Sequence, residues 1–329
     1  MKLHENPELF KQAIAFTAQQ MEILDIYVEK DYWVTLALHT IFQDEIGKET
    51  VFKGGTALSK CFGMIERFSE DIDLVVLRKE GESGNQLKNK LKKVTKTVAG
   101  KLDEVNVDGI THKMGMIRKA AYNYTKQFKG EFGQVRDVIV VEATWLGRYE
   151  PYHTQDIHSY IFEMMQNTDQ LELAKEYDLL PFEVQVLDVT RTICEKIMSL
   201  VRFSYGEDAI EDLQNKVRHT YDIHQLLKNV DVKVFFESPY FDEMLLKVAQ
   251  DDVESFKTDN SWLANHPNEA LLFRELGNTW EAIKTTYNDQ FKNLVYGKLP
   301  KDTAILETLQ LVVERMKTIK WEGTIHKVL

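Results

Sequence analysis

Apolar residues recur at helical spacing through residues 7–46. Leu9, Ile14 and Phe16 fall in one stretch and Trp33, Leu36, Leu38 and Ile41 in the next, which predicts two helices. A short β-type run, Thr50-Val51-Phe52, leads into Gly54-Gly55-Thr56. The following ALSKCFGMIERF sets Leu58, Cys61, Phe62, Ile65 and Phe68 on one helical face. Asp71-Ile72-Asp73-Leu74-Val75-Val76-Leu77 alternates at first and is then continuously apolar, the pattern of a central strand. A lysine-rich helix is expected over about 85–104, strands over 105–111 and 115–125, and the clearest late strand over 137–145.

Beyond about Pro151 the pattern becomes mainly helical. The strongest helix runs from about Asp188 to Phe203, another occupies 207–228, and three or four more fill 240–318 with breaks at Pro239, Pro267 and Pro300. No internal repeat or low-complexity linker interrupts the chain. These patterns predict an α+β protein: a mixed-sheet domain with flanking helices over 1–150, then a mainly helical domain over 151–329.

Composition narrows the class. With 43% apolar and 28% charged residues, the 329-residue chain is globular rather than disordered or fibrous. Two cysteines, Cys61 and Cys194, cannot build a disulfide framework. No stretch reaches the roughly 18 apolar residues of a membrane span, and MKLHENPELF lacks a signal-peptide core, so a cytoplasmic location is expected. The net charge of −11 alone argues against a polyanion partner, but it is unevenly spread. Gln86–Arg136 carries +8 and the remainder −19. In that segment lysines interleave with Tyr122, Tyr124, Phe128 and Phe132. Two readings stay open: a solvated lysine helix followed by a half-buried hairpin, or a surface that contacts phosphates and stacks bases.

The chemistry concentrates between residues 53 and 73. Gly54 and Gly55 let the backbone approach a ligand, and the free N–H groups of the helix that follows favour a polyphosphate. Asp71 and Asp73, one residue apart on a strand, point to the same face, as two carboxylates sharing a divalent cation do. Together these describe a site for a metal-bound nucleoside triphosphate. Ser59, one helical turn on, either faces the triphosphate or bonds back to its own helix. No Walker motif, zinc-type histidine spacing or nucleophile elbow occurs. Trp262, Trp280 and Tyr287 read as core. Farther along, Val189, Ile193, Ile197, Leu200 and Phe203 share one helical arc, with Arg191, Glu195 and Arg202 opposite. Lys196 falls inside the apolar arc, where a lysine must snorkel, pair with an acid, or face a cleft.

The order GG(S/T), helix, Asp-h-Asp resembles the DNA-polymerase-β-like nucleotidyltransferase superfamily. FKGGTALSKCFGMIERFSEDIDL is similar to the AbiEii/AbiGii toxin family, nucleotidyltransferase toxins of bacterial abortive-infection systems. Glu29–Val34, Arg191–Lys196 and Arg218–Ile223 resemble further blocks of that family, in order, from about residue 25 to 230. The fifteen residues between Gly55 and Asp71 match that branch's longer first helix. The resemblance implies Mg²⁺ or Mn²⁺ at Asp71 and Asp73, and phosphates at Gly54, Gly55 and Thr56. Lys196 takes the place of the motif lysine, at the phosphates and in catalysis. Asp222 takes that of the motif aspartate, orienting the nucleophile or Lys196; otherwise it forms an i,i+4 pair with Arg218. The superfamily often adds a third strand carboxylate. Glu142, an acid inside VIVVEA, is the candidate, unless it is simply an exposed strand position. The helical half would then complete the active-site cleft. The resemblance further implies an NTP substrate, transfer to the 3′ end of tRNA with the +8 segment as its contact surface, and a winged-helix antitoxin partner encoded alongside. The rival readings are transfer to a protein or small-molecule hydroxyl, and a non-catalytic nucleotide- or RNA-binding module.

Overall fold

In a computed structural model the described residues are 1–129, 135–255 and 260–321. The Asn6 side chain accepts from Leu9 N, and Pro7 fills the first turn, starting α1 (Pro7–Met21). It packs beside α2 (Asp25–Phe42), which is buried almost all round, including Glu29, Lys30 and Asp31. The chain continues through β1 (Thr50–Lys53), α3 (Gly54–Lys60), β2 (Ile72–Val76), α4 (Gly84–Ala99), β3 (Asp103–Val105), β4 (Ile117–Asn123), β5 (Ile139–Thr144), β6 (Tyr152–Ile157), α5 (Tyr160–Asn167), α6 (Leu171–Glu176) and β7 (Phe182–Leu187). The strands form one mixed seven-stranded sheet in the order β3-β4-β5-β2-β1-β7-β6. Helices dominate the rest: α7 (Val189–Phe203), α8 (Ala209–Asn215), α9 (Val217–Leu226), α10 (Val230–Glu237), α11 (Pro239–Ser255), α12 (Leu271–Arg274), α13 (Leu276–Thr285) and α14 (Asp302–Met316). The fold is α+β, as the sequence predicts.

The chain divides into two compact units. One comprises Met1–Gly63, Phe68–Trp145 and Tyr152–Leu187; the other comprises Met64–Arg67, Leu146–Pro151 and the chain from Asp188 onward. The expected boundary near residue 150 is therefore too early. Phe182, Val184 and Val186 alternate inward on β7, which lies parallel to β1 with Phe52 opposite Val186. Antiparallel β6 then extends the sheet beyond β7. A polar strand such as YHTQDI carries no apolar signal because it sits at the sheet edge.

Three further elements depart from expectation. The helix over ALSKCFGMIERF stops at Lys60, and Gly63 turns the chain with φ +59°. Met64–Arg67 belongs to the helical unit, where Arg67 bridges Val295. The extra length before Asp71 is thus a crossing between units rather than a longer helix. Ile65 and Phe68 are apolar because both are buried, with Phe68 stacked on Tyr27 at 4.4 Å. The single helix expected over 207–228 is two, broken at Lys216. The strand expected over 105–111 lies earlier, at Asp103–Val105, and shares only Val105 with it.

One face of the sheet carries the core of its unit. Ile72, Leu74, Ala120, Tyr122, Ile139, Val141 and Ala143 pack with Leu87, Leu91, Val94 and Val98 of α4 and with α2. Period-two alternation sends the intervening residues, Asp73, Lys119 and Glu142 among them, to the other face.

Candidate active site

Gly54 leaves β1 with φ +83°, a conformation that L side chains rarely adopt, and its Cα lies against the Asp73 carboxylate. A Cβ there would strike Asp73 Oδ2. The glycine turn and the Asp-x-Asp strand are thus in contact, and the contact needs glycine on two independent grounds. Thr56, buried in α3, donates its hydroxyl to the Asp71 carbonyl at 2.6 Å and lies 3.0 Å from Ser69 Oγ. The side chain of Thr56 therefore fixes the Asp71 loop, leaving its backbone to meet a ligand. Ser59 is half-buried on the same helix, and its carbonyl accepts from Gly63 N.

Register places Glu142 beside this pair. Asp73 is opposite Glu142 in the parallel β2–β5 ladder, Lys53 is opposite Asp73, and Lys119 is opposite Glu142. A row Lys53-Asp73-Glu142-Lys119 therefore crosses four strands on the face away from α4. Lys119 Nζ lies 3.0 Å from Glu142 Oε2, so the acid within VIVVEA has a cationic partner and a carboxylate neighbour. Asp71, just before β2, is paired with the Arg136 guanidinium.

Among the described residues no group of three or more His, Cys, Asp or Glu side chains could by itself hold a metal ion. The donors nevertheless fit Mg²⁺, which takes one or two carboxylates and completes its shell with water and substrate phosphate. Asp71 already neutralises a cation in Arg136, and Asp73 faces open backbone at Gly54.

What holds these pieces is a motif whose role the sequence left unassigned. Glu29, Lys30 and Asp31 are all buried in α2 and each grips a different segment. Glu29 accepts from Gln127 N at 2.6 Å and Phe128 N at 3.1 Å. Lys30 Nζ lies 2.9 Å from Glu70 and donates to the carbonyls of Val138, at 2.6 Å, and Arg136. Glu70 also accepts from Arg136 N at 2.8 Å, which fixes the backbone that presents Arg136 to Asp71. Asp31 pairs with Lys60, at the end of α3, at 2.6 Å and accepts from Tyr160 N at 2.8 Å. Burial pushes the Glu70 carboxyl up and the Lys30 ammonium down, and their mutual attraction opposes both shifts.

In the helical unit, Asp222 is fully buried between two cations. Arg67 grips it with Nε at 2.7 Å and Nη2 at 2.8 Å, and Lys196 Nζ lies 2.6 Å from Oδ2. Lys196 thus pairs with an acid, one of the three fates its helix position allowed. The alternative i,i+4 pair of Asp222 with Arg218 does not form. Burial alone would raise the Asp222 carboxyl, but Arg67 and Lys196 hold it well below the usual carboxylate range. Burial lowers the Lys196 ammonium, Asp222 opposes this, and Arg67 adds to it. Two buried cations thus share the Asp222 carboxylate. Arg191, expected on the polar arc of α7, is instead buried against Asp251 and Glu195. Arg67 was legible only as part of a motif string; its partner is 155 residues away.

The described aromatic residues of the basic segment do not form a stacking surface. Tyr122 and Tyr124 are core, with Tyr122 Oη donating to Thr95 O at 2.8 Å, and Phe128 is half-buried against the core. Phe132 lies outside the described residues.

The family described as "Nucleotidyl transferase AbiEii toxin, Type IV TA system" matches residues 37–311. That span includes the helical region beyond residue 230. A comparison with curated proteins finds no match. Among solved structures the chain is similar to MenT4, a nucleotidyltransferase toxin from Mycobacterium tuberculosis H37Rv, at 17% identity and a TM-score of 0.41, covering 91% of this chain and 98% of that one.

Proposed function

The chain belongs to the AbiEii family of nucleotidyl transferase toxins of type IV toxin–antitoxin systems, and we propose that it moves a nucleotide from an NTP to the 3′ end of an RNA, tRNA being the expected acceptor. The observation that carries this reading is the contact between Gly54 and Asp73, which joins a phosphate-approach turn to a pair of strand carboxylates. In the reaction the acceptor hydroxyl oxygen attacks the α-phosphorus, the bond to pyrophosphate breaks, and the hydroxyl proton is lost to solvent. When bound, a divalent cation, Mg²⁺ or Mn²⁺, would lower the pKa of the attacking hydroxyl and neutralise charge on the leaving pyrophosphate.

The chain's own residues divide the remaining work. Asp71 and Asp73, with Glu142 beside Asp73, would hold the cation. The backbone of Gly54, Gly55 and Thr56, with Ser59 a turn further, meets the phosphates. Lys196 balances phosphate charge, Asp222 orients Lys196, and Arg67 fixes Asp222. The chain acts in the cytoplasm with an operon-encoded winged-helix regulator as antitoxin. No described helix is long and apolar enough to cross a membrane.

The test supplies Mg²⁺, α-labelled NTPs and three acceptors: total tRNA, the same tRNA with its terminal diol oxidised by periodate, and a protein extract. Label on intact tRNA alone is the expected result. Label on oxidised tRNA moves the acceptor away from the 3′ hydroxyl, and label on protein replaces RNA as the acceptor.

A further inference from the structure

The +8 segment, once folded, is not one surface. Lys119 joins Asp73 and Glu142 on one face of the sheet, whereas α4 covers the other. Between α4 and the segment leading into β4 lies a cavity of about 420 Å³, with Lys88 and Lys92 on one wall, Lys113 and Arg118 on the other, and Leu91 and Ile117 among its apolar lining. No carboxylate is among its lining residues, although Lys113 is paired with Glu104 beside it.

The lysines of α4 sort into two sets. Lys90 pairs with Glu49 and Glu82, at 2.7 and 2.6 Å, and Lys93 pairs with Asp44 at 2.9 Å. Lys88, Lys92 and Lys96 follow one another at i,i+4 spacing, all exposed and without an ion-pair partner among the described residues. Like charges at that spacing destabilise a helix by a few tenths of a kcal/mol per pair. Lys88 and Lys92 of this unpaired stripe line the cavity. Arg118 stands on the opposite wall. Its Nε donates to Thr95 Oγ1 at 2.7 Å, which aims the guanidinium and leaves its terminal nitrogens free of hydrogen bonds among the described residues. Met114, 75% exposed at the rim, offers an apolar contact for a ribose or base.

We infer that this groove binds the phosphodiester backbone of the acceptor RNA, away from its reacting end; the inference rests on the RNA reading of the function. Lys88 and Lys92 are about 6 Å apart along the helix axis, close to the separation of neighbouring phosphates on an extended strand. The groove and Asp73 lie on opposite sides of the sheet, and the helix layer alone is about 10–12 Å thick. An RNA occupying both must pass round the sheet, so the groove selects for acceptors longer than a few nucleotides.

The test measures RNA affinity by fluorescence anisotropy from 50 to 200 mM salt for the full chain, the Lys88→Gln/Lys92→Gln double variant and Lys93→Gln. Both substituted lysines of the double variant are exposed, and glutamine keeps the helix. Losing two phosphate contacts reduces the slope of log affinity against log salt by about 1.4–1.8. The double variant should show that loss with full-length tRNA and none with a fragment of a few nucleotides from the acceptor end. Lys93→Gln should keep the wild-type slope. An equal slope change in Lys93→Gln, or none in the double variant, overturns the groove while leaving the RNA acceptor standing. Absence of RNA binding by the wild-type chain overturns the RNA reading itself.

Discussion

Lys196→Met separates a catalytic lysine from a structural one. The ammonium is buried, and among the described residues its ion-pair partner is Asp222, at 2.6 Å from Oδ2. That oxygen also accepts from Arg67 Nη2 at 2.8 Å, so removing Lys196 leaves Asp222 satisfied. What is lost is one charge-assisted hydrogen bond, about 1.5–3 kcal/mol; what is recovered is the desolvation of a buried ammonium, several kcal/mol. The two nearly cancel, and methionine fills similar volume, so stability should change by no more than about 1 kcal/mol, or about 4 °C in Tm for a unit of this size. Asp222→Asn is the contrasting case. It leaves two buried cations facing each other, which costs about 3–5 kcal/mol and lowers Tm by roughly 6–20 °C. Nucleotide incorporation should fall by at least about 100-fold in Lys196→Met, the order lost when one pre-aimed charge partner is removed. Thermal unfolding and labelled-NTP incorporation on the same preparations read both quantities. If Lys196→Met unfolds as early as Asp222→Asn yet keeps its activity, the lysine is structural and its assigned role is wrong.

Other consequences follow from the same geometry. Arg136→Gln frees Asp71 from a partly exposed ion pair of about 0.2–1 kcal/mol, so Mn²⁺ should bind about 1.4- to fivefold tighter in an electron paramagnetic resonance titration; weaker binding would make Arg136 a support rather than a competitor. Gly54→Ala combines backbone strain of about 1–3 kcal/mol with a collision on Asp73, and should lower both Tm and activity. Gly81→Ala has the same positive φ but open space around it, so only Tm should move; equal activity loss in both would remove the significance of the Gly54 contact. The folded-state pKa of Asp222 lies below its unfolded value near 4, so the unfolded chain takes up a proton that the folded chain refuses. Its contribution is complete above about pH 5 and is lost as pH falls through the folded value. The Tm gap between wild type and Asp222→Asn should therefore stay constant from pH 7 to 5 and shrink below about pH 4, and a gap that instead narrows above pH 5 would contradict the buried pairing.

Much of the fold was written locally. The alternation of Ile72, Leu74 and Val76 with Asp73 marked β2, and the spacing of Ile193, Ile197 and Leu200 marked α7, because in both the neighbours that bury the residues follow one regular period. The apolar spacing of Ile65 and Phe68 misled because burial was secured across a chain crossing rather than along a helix. Strand β6 was hidden by its edge position, where polar side chains suffice. In the site, Gly54, Asp71 and Asp73 were legible because twenty residues of sequence carry both turn and strand. The grip of Arg67 on Asp222, of Lys30 on Glu70, and of Arg136 on Asp71 was not, since each links residues 40 to 155 positions apart and no periodicity reports such pairs. Tyr122 and Tyr124 were ambiguous for the opposite reason: the charges beside them face solvent while their rings face the core.

The central claim is that the carboxylates against Gly54 drive nucleotidyl transfer. It is tested most directly by incubating the wild-type chain, Asp71→Asn and Asp73→Asn with Mg²⁺, each NTP in turn and tRNA, and then weighing the RNA by mass spectrometry. The wild type should add whole nucleoside monophosphate units to the RNA, and both variants, folded to the same Tm within a few degrees, should add none. Extension by either variant at the wild-type rate, or an unchanged RNA mass from the wild type with every NTP, would contradict it.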